Sequence, residues 1–88
     1  MGESKIEVFW RSDEGDYRQV GGPYTSLEEA DRQAQIFAHE TVLVDGERRH
    51  QHPGMILLRF WSGDESYDRP LYRVRLSVKR ARHQPTQP

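Results

Sequence analysis

The stretch that most constrains this chain runs from Pro53 to Arg82. Met55-Ile56-Leu57-Leu58-Arg59-Phe60-Trp61 is apolar almost throughout, as expected of a strand near the middle of a sheet. Tyr72 to Lys79 alternates apolar and polar residues strictly, the period-two signature of a strand with one buried face. The sequence predicts two adjacent strands joined by a polar loop.

The preceding residues supply what such a pair packs against. Ile6, Val8 and Trp10 alternate with Lys5, Glu7, Phe9 and Arg11, which predicts a first strand. Ser12 to Asp16 has turn composition and Tyr17 to Val20 reads as a returning strand, so the chain opens with a hairpin. Thr25 with Glu28, or Ser26 with Glu29, matches the capping box that starts a helix. Leu27, Ala30, Ala34, Phe37 and Ala38 then fall three and four apart on one stripe, predicting a helix that lays a face of mainly small residues on a sheet. Thr41 to Val44 is rich in β-branched residues and is followed by Asp45-Gly46, a pair suited to a two-residue hairpin turn, with Glu47 to His50 folding back. A helix continuing through Val42 and stopped by Asp45-Gly46 is the competing reading.

The expected fold is α+β, with elements in the order ββαβββ: a small antiparallel sheet of four to five strands and one amphipathic helix packed on one face. At 88 residues the chain has room for a single domain, placed at 5–81, with disorder expected in 1–4 and in the polar, proline-containing tail 82–88. It contains no cysteine, no apolar run near the roughly 18 residues that span a bilayer, and no signal-peptide apolar segment behind Met1. A cytoplasmic protein without a membrane partner is the expectation.

A net charge of −1 conceals an asymmetry. Residues 1–47 carry four basic and eleven acidic side chains, net −7, whereas residues 48–88 carry nine basic and three acidic, net +6. Attraction between the halves inside the fold accounts for this pattern without an external ligand.

Motifs for catalysis are missing. His50 and His52 share a face if extended, with Asp45 or Glu47 near, yet no third strong ligand has zinc-site spacing. Asp64 to Asp68 lacks the order of a calcium loop. There is no Gly-x-Ser-x-Gly elbow, phosphate loop or dinucleotide glycine pattern. No enzyme activity, metal or cofactor is expected. Gly22-Pro23-Tyr24, followed by Ser26, Glu28, Glu29 and Ala30, resembles the strand-to-helix entry of SPOR-type peptidoglycan-binding domains. That likeness covers nine residues, and the second helix of those domains has no counterpart in this sequence, so their function is not carried over.

What remains is a face. If Ile56, Leu58 and Phe60 point inward with Val74, Leu76 and Val78, alternation sends Leu57, Arg59, Trp61, Arg73, Arg75 and Lys79 to the other side, joined by Phe9 and Arg11. A single helix leaves that side uncovered. Its mixture of Trp, Arg and aliphatic residues is typical of protein-interface hot spots, predicting a small non-catalytic binding protein that takes a protein partner or a second copy of itself. Single-stranded nucleic acid is the alternative ligand for the same basic and aromatic residues, although a pI near 6.4 weighs against it. Since Arg59 near Arg73 or Arg75 would be repulsive, an anionic neighbour is also expected.

Overall fold

A computed structural model of the protein describes residues 4–77. Its elements are β1 (Ser4–Ser12), β2 (Tyr17–Tyr24), α1 (Leu27–Ala38), β3 (Thr41–Val44), β4 (Glu47–His50), β5 (Gly54–Ser62) and β6 (Glu65–Val74). The class is α+β and the order ββαβββ, as the sequence predicts. The strands form one antiparallel four-stranded sheet, β2-β1-β5-β6, and a separate two-stranded ribbon, β3-β4.

Strand β5 is central because it can be buried on both sides. Ile56 and Leu58 face the helix and are fully buried, and Leu57 on the opposite side is 5% exposed. Val8 from β1, Ala30, Ala34, Phe37 and Ala38 from α1, and Val74 from β6 complete the core. The helix is started by Ser26, whose Oγ accepts from the Glu29 backbone N–H at 3.1 Å, satisfying one of the free donors of the first turn. Its alanines bring it close to β1, β2 and β5. Leu27, by contrast, is 51% exposed and lies outside the buried stripe expected of it.

Aromatic and polar groups lock the helix to both ends of the sheet. Trp10 meets Phe37 edge-on with centroids 6.2 Å apart, and Phe37 stacks on His52 at 3.9 Å. Trp10 Nε1 donates to the His52 carbonyl at 3.2 Å, and His52 Nε2 lies 2.8 Å from Glu40 Oε1. On the far strand, Tyr72 Oη donates to Asp31 Oδ1 at 3.1 Å, with burial and then Asp31 raising the phenol above its ordinary pKa. Gly54 pairs opposite Ser12 at φ +149, where a Cβ would overlap the Arg11 carbonyl oxygen, so only glycine allows β1 and β5 to close at this end.

Two expectations need correction. The polar loop between the last two strands is instead a two-residue turn, Gly63-Asp64, and β6 begins at Glu65 opposite Ser62. The alternating stretch from Tyr72 leaves the sheet after Val74, whose partner is the first residue of β5, because no ladder remains beyond it. Leu76 is accordingly 54% exposed rather than inward-facing. Thr41–Val44 forms the expected strand rather than the competing helical extension, with Asp45 and Gly46 at φ 54 and 80 making the tight turn to β4. Val78 and the proposed tail 82–88 lie outside the described residues. No helix among the described residues is long and apolar enough to cross a membrane.

Candidate functional site

With Ile6, Val8 and Trp10 committed to the helix side, period two turns Lys5, Glu7, Phe9 and Arg11 of β1 outward. Cross-strand register sets them in rows on the open face. Lys5 stands opposite Trp61, Glu7 opposite Arg59, Phe9 opposite Leu57, and Arg11 opposite Met55. Strand β6 extends the rows with Ser66, Asp68, Pro70 and Arg73, and β2 adds Gln19 beside Phe9 and Tyr17 beside Arg11.

The centre of the face is an ion pair over an aromatic ring. Arg59 Nε donates to Asp68 Oδ1 at 2.7 Å and its second nitrogen to Oδ2 at 3.1 Å, the bidentate geometry that gives guanidinium–carboxylate pairs their specificity. The guanidinium carbon sits 4.2 Å from the Phe9 centroid, a cation–π contact. Hydrogen bonding to Asp68 raises the Arg59 pKa, and the same bond holds the Asp68 carboxyl below its ordinary value against the opposing effect of burial.

Flanking groups are paired as well. Trp61 Nε1 donates to Glu7 Oε1 at 2.8 Å, and Lys5 Nζ lies 5.3 Å from the Trp61 ring. Arg73 donates to Asp13 Oδ1 at 3.1 Å from the first turn, beside a hollow of about 350 Å³ lined by Arg11, Asp13, Met55 and Arg73. The anionic neighbours expected near the arginines are therefore supplied by the acidic N-terminal half and by β6.

Of the residues singled out in the sequence, Phe9, Arg11, Leu57, Arg59, Trp61 and Arg73 share this face. Leu57 forms its floor and is almost inaccessible. Arg75 does not join them: it follows the end of β6, and its carbonyl accepts from His50 Nδ1 at 2.8 Å. Lys79 lies outside the described residues. No family model, curated protein or solved structure matches the chain. The face itself therefore carries the functional reading.

Asp13, Asp68 and Tyr17 are not legible as parts of the site, whereas Met55 follows from the alternation that groups Leu57 with Arg59. Asp68 would have followed from a two-residue turn at Gly63-Asp64, which alone sets it opposite Arg59. Elsewhere, among the described residues, no three His, Asp or Glu side chains gather to hold a metal ion. His50 and His52 are engaged separately, by the Arg75 carbonyl and by Glu40. A larger hollow of about 530 Å³ lies at the end of the sheet between Lys5, Ile6, Thr25, Phe60, Trp61 and Tyr67, continuous with the open face through Lys5 and Trp61.

Proposed function

We propose that this domain is a non-catalytic protein-interaction module whose open sheet face docks a partner protein. The observation that carries the reading is the state of the charges at the centre of the face. Arg59 and Arg73 are each neutralised by a carboxylate of the same chain, while Phe9, Met55 and Trp61 are half-buried on the same face.

Covering a charge that already holds its counter-ion costs less than covering an unpaired one, which would be left as a buried, uncompensated ion. The ordered Arg59, held by Asp68 and Phe9, surrenders little side-chain freedom on binding. Aromatic and arginine anchors in a well-packed centre are the residues that dominate interface energies. A phosphate backbone, by contrast, would compete with Asp68 and Asp13 for Arg59 and Arg73. A cytoplasmic setting belongs to the same reading, on the chain's lack of cysteine.

The test compares wild-type protein with Trp61→Ala and Phe9→Ala variants as bait in host lysate, followed by reconstitution with the purified captured protein. Binding that both variants lose while retaining their fold supports docking on this face. Undiminished binding by the variants overturns it. A single-stranded oligonucleotide that shifts the Trp61 indole signal and loses its effect with salt would replace it with nucleic-acid recognition.

A further inference from the structure

The edges of the four-stranded sheet and the outer edge of the ribbon meet solvent differently. Strand β2 carries Arg18, Gly21, Gly22 and Pro23, and β6 carries Glu65, Asp68, Arg69, Pro70 and Arg73. Register shifts interrupt both edge ladders. Charges, prolines and irregularities of this kind oppose the addition of another strand. Strand β3 has none of them. Its Thr-Val-Leu-Val pairs regularly with β4, and Val42, Leu43 and Val44 are 42%, 61% and 37% exposed.

The direction of its main-chain groups follows from the turn. A two-residue hairpin turn makes Val44 and Glu47 a bonded pair, after which bonded and non-bonded pairs alternate. Gln51 N–H donating to the Glu40 carbonyl at 2.8 Å, and His50 N–H donating away from β3 to the Leu76 carbonyl at 3.0 Å, show the same phase. Val42 and Val44 thus direct their N–H and C=O groups to β4. Thr41 and Leu43 direct theirs outward, where no main-chain partner stands among the described residues.

We propose that β3 pairs antiparallel with β3 of a second copy of this chain, about a two-fold axis at Leu43, joining two ribbons into a four-stranded sheet. In this register Leu43 faces Leu43, Val42 faces Val44 and Thr41 faces Asp45. Outward-directed groups of the two Leu43 residues meet and bond reciprocally. An axis between Val42 and Leu43 fails, because it sets an outward-directed residue against an inward-directed one and brings Glu40 against Asp45.

Charge complementarity favours a second copy as the occupant. The Arg48 guanidinium reaches across its own ribbon to Thr41 Oγ1 at 2.8 Å, and Thr41 is the residue beside which Asp45 of the other copy arrives. Two symmetric Arg48–Asp45 pairs flank the seam. The other edge of β4 is already occupied, by a bridge from Arg49 to Ser77, so growth proceeds through β3. With four residues per copy, the seam falls short of the ~1,200 Å² of a standard stable interface, and the pairing is weak. It is independent of docking on the open face.

Sedimentation and amide NMR on the full chain, from low micromolar to millimolar concentration, test the pairing. The expected mass rises above 10.4 kDa toward its double, with concentration-dependent shifts centred on Thr41 and Leu43. Leu43→Lys opposes two ammonium groups on the axis and weakens self-association by roughly tenfold or more. Leu43→Pro removes an outward N–H that β4 does not use and has the same effect, whereas Trp61→Ala leaves self-association unchanged. A mass that stays monomeric throughout, a dimer that survives Leu43→Lys, or shifts confined to the open face overturns the proposal.

Discussion

The open face of the four-stranded sheet and the β3-β4 ribbon both expose apolar side chains, and they manage that exposure in opposite ways. On the sheet, Phe9 lies under the Arg59 guanidinium and Trp61 under the Lys5 ammonium, with Glu7 and Asp68 completing the charges. On the ribbon, Val42, Leu43 and Val44 are exposed on a strand that itself holds no charge or proline, with Arg48 of β4 reaching only to Thr41. The first surface is built from side chains and can be selective. The second offers backbone and asks only for another strand. The comparison teaches that in a chain this small the face and the edge are separable devices, and each should respond to its own mutations.

The largest effect should come from the core that both depend on. Leu58 is 1% exposed beneath the helix, and Leu58→Ala should cost about 3 kcal/mol, read as a lower urea midpoint. If the ribbon then unfolds at a lower urea concentration than the sheet, the two regions are separate in stability as well as in surface chemistry. Asp68→Asn should cost less, about 0.5–1 kcal/mol, because its partner Arg59 remains partly hydrated.

Acid titration sharpens that second test. The Asp68 pKa is depressed in the folded protein, so the unfolded chain binds more protons and stability rises with pH. Its contribution is complete above the unfolded carboxylate pKa and is lost as pH falls through the depressed folded value. Chemical denaturation across that acid window should show a shallower loss for Asp68→Asn than for wild type. The smallest effect on stability belongs to Leu43→Lys, about 0.5 kcal/mol, since the side chain is 61% exposed and the new ammonium meets only Arg48 across the ribbon. A loss much above that would mean Leu43 supports the monomer rather than an edge for pairing.

The elements legible in the sequence were those whose apolar pattern and burial coincide. β1 and β5 follow from period two, α1 from its cap and its alanines, and the β3-β4 turn from Asp45-Gly46. Strand β6 was hidden because Glu65 to Pro70 is exposed on both sides of an edge, so no hydrophobic alternation marks it and only pairing with β5 makes it a strand. The run from Tyr72 onward misled for the reverse reason: alternation persists where the sheet has ended. Alternation alone places Phe9, Arg11, Leu57, Arg59, Trp61 and Arg73 on one face of the sheet, where the register sets them. Their carboxylate partners Asp13 and Asp68 come from a turn and from the unrecognised strand, beyond the reach of any local pattern.

The ribbon is tied to the residues after β6 through His50, which bonds the Leu76 and Arg75 carbonyls, and through the Arg49–Ser77 bridge, while His52 beyond it is held by Trp10 and Glu40. Breaking them frees β3 and β4 without disturbing Val8, Ile56 or Leu58. In hydrogen exchange, the ribbon amides should trade with solvent through a local opening of low free energy, while amides at the buried centre of β1 and β5 wait for global unfolding. Exchange of this kind would divide the molecule into two cooperative units of unequal lifetime, with the exposed edge of β3 on the shorter-lived one.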